Sequence, residues 1–124
     1  QASSPLRTGE DIDAAIRLVR RSGCDSAETV TLDRSHPLHR FRMNGGGRLS
    51  PLLEETGLAA NRQDSPPVYR VTGAVYVMRY RLLMEEGRVR GDDHRGLIRP
   101  ESASVDVDEE ADLELARWYL ERRR

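Results

Sequence analysis

A chain of 124 residues with 37% hydrophobic content suffices for one small domain and is too short for two independent cores. Its 20 basic side chains are all arginine and nearly cancel 21 acidic ones, so no global field draws in nucleic acid or anionic lipid, and no lysine is present for a Schiff base or a phosphate-loop amine. The single cysteine, Cys24, excludes an internal disulfide framework, and with no apolar run of roughly 18 residues and no signal-peptide start the expectation is a soluble, cytoplasmic protein.

The first residues, "QASSPLR", read as a loop with no strand and no methionine before it, and the chain is expected to begin inside a fold. From Thr8 the pattern turns helical. Thr8 and Asp11 are spaced as a capping box, Ile12, Ala15, Ile16 and Val19 share one face, and Gly23 follows as a stop. "AETVTL" predicts a short strand with Val30 and Leu32 on one side.

The stretch "DRSHPLHRFRMNGGGRLSPLLEETGLAANRQDSPPVYR" has a different character. It carries three consecutive glycines and little long-range periodicity, so it reads as an excursion from about Asp33 to Pro67. Phe41 and Met43 before "NGGG", with Leu49 after it, predict a β-hairpin. Such a hairpin must bury its apolar side somewhere, and a second copy of the chain is the simplest partner. "VTGAVYVM" then reads as a buried strand, Tyr80 to Glu86 as a short helix ended by Gly87, "RVRGDDHRG" as a loop, "SVDVD" as a strand and Glu109 onward as the last helix, with Leu113, Ala116 and Leu120 on one face. Helices alternating with strands predict α/β layers.

Candidate chemistry centres on Asp106 and Asp108. On a strand, residues two apart point to one face, so both carboxylates would project together and repel unless a divalent cation lies between them and a substrate. Mg²⁺ with a phosphate suits so few hard oxygen ligands, and a solvated strand end with Asp108 capping the next helix is the alternative. Arg70 and Thr72 stand at the entrance of "VTGAVYV", where the planar guanidinium fork of Arg70 suits a carboxylate or phosphate and where Gly73 and Ala74 are small enough for a ligand to approach the backbone. "HPLH" has its histidines interrupted by Pro37 and no third ligand nearby, "NGGG" lacks a phosphate-loop lysine, and the terminal "RRR" suits a solvated helix end. Balanced charge and 5% aromatic content argue against nucleic-acid binding.

Together, "QASSPLRTGEDIDAAI", "NRQDSPPVYRVTGAVYV" and "SVDVDEEADLELA" resemble, in order and spacing, three blocks of the acylneuraminate cytidylyltransferases, or CMP-sialic acid synthetases. That family runs Gln-Pro-Thr-Ser-Pro-Leu-Arg, then Arg-x-Asn-Gly-Ala-Ile-Tyr, then Ser-Ile-Asp-Ile-Asp-Thr-Glu-x-Asp. The resemblance covers nearly the whole chain. It implies a Rossmann-like nucleotidyltransferase, a three-layer α/β/α fold with a mixed sheet, of which residues 1–124 form the C-terminal half with a dimerisation excursion at 33–67. It further implies transfer of CMP from CTP to the anomeric hydroxyl of a sialic acid or related nine-carbon nonulosonic acid, with release of pyrophosphate, by a Mg²⁺-dependent homodimer. By the same carry-over Asp106 and Asp108 would be catalytic and hold Mg²⁺, while Gln1, Arg70, Thr72, Gly73 and Ala74 would line the sugar site and Arg62 would reach across the dimer.

Departures are visible. Thr72 replaces the family's Asn, Ala2 and Ser3 replace Pro-Thr, and the Gly-rich, Lys-bearing segment that grips CTP would precede Gln1. The fragment alone is therefore expected to be inactive. Alternatives are a cytidylyltransferase for an eight-carbon keto sugar acid, or a non-catalytic dimerisation module derived from the family.

Overall fold

The computed structural model describes residues 1–35, 37–53 and 66–123. Its elements are helix α1 (Gly9–Ser22), strand β1 (Ser26–Leu32), a hairpin of β2 (Phe41–Met43) and β3 (Leu49–Pro51), β4 (Tyr69–Met78), the short helix α2 (Tyr80–Met84), β5 (His94–Ile98) and helix α3 (Glu110–Glu121). The chain divides into two compact units, one of residues Gln1–Thr31 with Arg70–Arg124 and one of Leu32–Tyr69. Among the described residues no helix is long and apolar enough to cross a membrane.

Local chemistry fixes α1 at both ends. Thr8 is the N-cap, with its amide 2.7 Å from Asp11 Oδ2 and its hydroxyl accepting from the Asp11 amide at 3.3 Å. Gly23 closes the helix in the left-handed region, φ 75°, donating its N–H to Val19 O. Ala15 and Val19 are buried, Ala15 against Ala74 and Val75 of β4 and Val19 against Cys24 and Ala27, whereas Ile12 and Ile16 remain more than a third exposed.

The sheet of the first unit has the order β4-β1-β5, with β1 and β5 parallel in the register Ser26↔His94 to Val30↔Ile98. β4 runs antiparallel to β1, as the bonds Asp33 N to Val68 O and Arg79 N to Asp25 O at its two ends require. The fold is thus mixed α/β with a mixed sheet. Between those two bonds β1 advances fewer residues than β4, so β4 bulges, and Gly73 at φ 72° lies in the bulge. The hydroxyls of Thr29 and Thr72 fill the interrupted ladder: Thr72 Oγ1 lies 2.8 Å from Thr29 Oγ1, and the Val75 amide donates to Thr29 Oγ1 at 3.0 Å.

β5 begins at His94, inside the stretch "RVRGDDHRG" expected to be a loop. Parallel pairing with β1 explains the difference, because His94 also bonds laterally, its Nδ1 2.7 Å from Ser26 Oγ. The opposite correction applies to "SVDVD", which is not a strand. Among the described residues no neighbouring strand offers it a ladder, and its amides bond elsewhere, Val107 N to Ser3 O at 2.8 Å and Ser104 N to Glu101 O at 2.9 Å. Residues 104–108 instead run as an irregular segment whose Val105 packs with Leu6 and Ala116, with Val107 and Tyr119 against that cluster. Burying Leu6 almost completely contributes about 2 kcal/mol.

One guanidinium holds this corner. Arg99, 4% exposed, follows β5 and bonds Asp11 through Nε at 2.9 Å and Nη2 at 2.8 Å, and Leu6 O through Nη2 at 3.1 Å. Arg123, just past α3, donates to the same Leu6 carbonyl at 2.8 Å. Burial pushes the Asp11 carboxyl up, and the Thr8 amide and hydroxyl together with Arg99 outweigh it and bring it below its ordinary value.

In the second unit β2 and β3 pair antiparallel from Phe41↔Pro51 to Met43↔Leu49. Asn44 closes the turn, its Oδ1 accepting from the amides of Gly46 and Arg48 at 3.0 Å each. Phe41, Met43 and Leu49 are all about half exposed or more.

Candidate active site

Two polar constellations stand out in the first unit. The first joins Ser26, His94 and Glu28: Ser26 Oγ meets His94 Nδ1, and Glu28, also held by Arg90 Nη2 at 3.0 Å, lies 3.1 Å from His94 Nε2 without hydrogen-bond alignment. The residue types match a hydrolytic triad. Ser26, however, is completely buried, and its Oγ already accepts from the Gly91 amide at 2.9 Å, so no substrate carbonyl can reach it. The cluster is a polar seam that locks β5 to β1.

The second is a cleft of about 350 Å³ bordered by Arg70, Glu101, Ser104, Asp106, Asp108 and Asp112, with Val71, Leu115 and Tyr119 as apolar wall. Topology explains its position. Because β1 and β5 are parallel and β4 is antiparallel, the start of β4, which carries Arg70, shares an end of the sheet with the loop that leaves β5. This is the carboxyl end of the parallel strands, where open α/β sheets bind ligands.

Three of these side chains, Arg70, Asp106 and Asp108, make no hydrogen bond or ion pair among the described residues. Asp106 Oδ1 is buried with no hydrogen-bond partner among the described residues, an arrangement that costs free energy unless a ligand completes it. Asp108 is exposed, and neither it nor Arg70 has a side-chain hydrogen bond or ion pair among the described residues. Among those residues no three His, Cys, Asp or Glu side chains converge as a self-sufficient metal cage. A pair of carboxylates still fits a cation such as Mg²⁺, which commonly takes one or two from the protein and the rest of its ligands from water and phosphate. The orphaned Asp106 oxygen is the observation that meets this requirement.

The remaining candidates lie elsewhere or are engaged. The Gln1 nitrogen donates to Gly73 O at 3.3 Å, and a Cβ on Gly73 would collide with Gln1 Oε1. The side chain that approaches the Gly73 backbone is therefore that of Gln1. Thr72 is 1% exposed with its hydroxyl committed to Thr29, and Ala74 is buried with its carbonyl accepting from Arg7 Nη1 at 3.0 Å. In this structure the β4 bulge takes up the Thr72 hydroxyl. Gln1 and Arg7 border a separate cleft of about 300 Å³ with Ile12 and Tyr76. The two clefts are tied by the N-terminal loop, whose Ser3 O accepts from Val107 N and whose Ser4 Oγ donates to Thr72 O. Arg62 and His36 lie outside the described residues.

Sequence reasoning missed Asp112 and Tyr119 as neighbours of the aspartate pair. The available signal was spacing: Asp112, Leu115 and Tyr119 recur at helical intervals on α3 and form one wall of the cleft. Trp118 stands edge-on to the Tyr119 ring at 4.9 Å and stiffens that wall.

No family model matches the chain. Over 122 residues it is 25% identical to a protein of Campylobacter coli named post-translational flagellin modification protein B. The matched region is 98% of this chain and 51% of that protein, so the chain spans about half the length of this curated relative.

Proposed function

We propose that this chain carries the acceptor and metal side of a nucleotidyltransferase that moves CMP from CTP to the anomeric hydroxyl of a sialic acid or related nonulosonic acid. The observation that carries the reading is the meeting of an unpartnered Arg70 with the open carboxylates of Asp106 and Asp108 at the carboxyl end of the parallel strands. Similarity to a protein named for post-translational flagellin modification is in keeping with a role in supplying a group for protein modification. The three strands would then belong to a larger Rossmann-like, three-layer α/β/α sheet.

In the reaction the anomeric oxygen bonds to the α-phosphorus, and the bond from that phosphorus to the bridging oxygen breaks, releasing pyrophosphate. Asp106 and Asp108 would hold Mg²⁺, which when bound supplies charge stabilisation at the α-phosphate. Arg70 would clamp the sugar carboxylate and orient the acceptor hydroxyl. Gln1 would reach the sugar from the neighbouring cleft, and Arg62 would enter from a partner copy. The exposed apolar side chains of the β2–β3 hairpin favour self-association and support a homodimer.

The test is pyrophosphate release by the intact protein with CTP, Mg²⁺ and a panel of nine-carbon and eight-carbon keto sugar acids. Release with a nine-carbon acid, lost in Asp106→Asn and Asp108→Asn, is the expected result. Preference for an eight-carbon acid would reassign the acceptor. No release with any acid, from a protein that sediments as a dimer, would favour the dimerisation module, and undiminished release in both variants would sink the metal assignment.

A further inference from the structure

The two aspartates are held in place by different means. Asp106 sits between Val105 and Val107, which pack against the Leu6 and Ala116 cluster, and the Val107 amide is pinned to Ser3 O at 2.8 Å. Its carboxylate therefore rides on a packed segment. Asp108 has no such support, being exposed beyond the last packed valine. Among the described residues its tether is a single atom, Asp112 Oδ2, which accepts from the Asp108 amide at 3.1 Å and from the Glu109 amide at 3.1 Å.

Holding the Glu109 amide is ordinary helix-start chemistry, since an acidic side chain three residues into a helix reaches back to the N-cap N–H. Holding the next amide outward is not needed to start α3. That second bond fixes the backbone of Asp108 and so limits where its carboxylate can point. One charged oxygen receiving two amides is also stronger than a neutral acceptor would be. Asp112 additionally borders the same cleft as Arg70, Asp106 and Asp108.

We infer that Asp112 is a positioning residue, acting through Asp108 to hold the second carboxylate where it completes the cation site. This rests on the metal reading above, so the test must be able to fail separately from it. Asp112→Glu separates the two tasks. Glutamate is the favoured side chain at this helix position and keeps the bond to the Glu109 amide, but its extra methylene displaces the oxygen that now receives both amides.

Mn²⁺ binding to the intact protein, followed by electron paramagnetic resonance, is the measurement, with thermal unfolding alongside. Asp112→Glu is expected to melt with the parent yet bind Mn²⁺ about tenfold more weakly, and to need correspondingly more Mg²⁺ for half-maximal activity with kcat at saturating metal retained. Asp112→Asn, isosteric with one oxygen acceptor left, covers the case in which the glutamate variant misfolds and is expected to weaken binding about threefold. Parental Mn²⁺ affinity in both variants, with Asp106→Asn at least tenfold weaker, would overturn the positioning role and leave the metal site standing. Parental affinity in Asp106→Asn would overturn the metal site and this inference with it.

Discussion

At the amino end of the parallel strands a cleft of about 560 Å³ is lined by Asp25, Arg79, Arg81, Glu86, Arg88 and Asp92, and each of these charges has a partner. Arg88 meets Asp92 at 2.7 Å and Glu86 at 3.4 Å, Arg79 donates to Cys24 O at 2.9 Å, and Asp25 Oδ2 accepts from the Asp93 amide at 3.1 Å. At the carboxyl end, in a smaller cleft, Arg70 and Asp106 have none among the described residues. Size alone would select the wrong end. Charged groups left unsatisfied in a fold that satisfies most others mark the place where a ligand supplies the missing partner.

That contrast predicts opposite responses to substitution. The largest effect belongs to Asp106→Asn, which should reduce pyrophosphate release at least about 100-fold by removing a metal ligand. The same change should leave the unfolding midpoint equal or higher, because a buried carboxylate oxygen without a partner costs stability. A fall in stability would show that Asp106 is a structural residue and erase the difference between the two ends.

Next is Arg99, which stands at the carboxyl end and bonds Asp11 and Leu6 O through Nε and Nη2, leaving Nη1 without a partner among the described residues. Arg99→Ala should cost about 3 kcal/mol in denaturant unfolding, the low end for breaking a buried pair, since Asp11 keeps some solvent contact. The pair also sets a pH dependence. The folded-state pKa of Asp11 lies below its ordinary 3.8, so the carboxylate stabilises the fold above that value and the contribution is lost as pH falls through the lowered folded value. The denaturant midpoint should hold steady above pH ~5 and decline below pH ~4, and Asp11→Asn should flatten that decline.

The smallest effect sharpens the comparison most directly. Arg70→Ala should raise KM for the sugar acid about tenfold or more, the worth of a charge-assisted hydrogen bond, with unfolding unchanged. Arg88→Ala, at the opposite end, should alter neither quantity measurably, because its partners are solvent-exposed. Equal effects of the two arginine variants on KM would remove the distinction.

Legibility of the fold in the sequence followed the range of the forces involved. The capping box of Thr8 and Asp11, the stop at Gly23, the hairpin around Asn44 and the helix begun at Glu109 are all local events, set by hydrogen bonds spanning a few residues, and spacing alone is enough to find them. Strand assignment depended on neighbours. "HRG" became strand because β1 lies beside it, and "SVDVD" did not because no strand among the described residues does. The partner of Thr72 was hidden for the same reason: the β4 bulge brings the Thr29 hydroxyl within 2.8 Å of it.

By itself, then, the sequence determined the helices, the hairpin turn, the lack of lysine and disulfide chemistry, and the residue types able to hold an acid and a cation. These follow from composition and from contacts within a turn or two of the backbone. Tertiary structure decided which of those residues meet. Antiparallel β4 brings Arg70 to the end of the sheet where the chain leaves β5 for Asp106 and Asp108, while the bulge withdraws Thr72 and the first residue fills the space over Gly73. The physical reason is sequence separation: Arg70 and Asp106 are joined by strand direction and register, which no local pattern encodes.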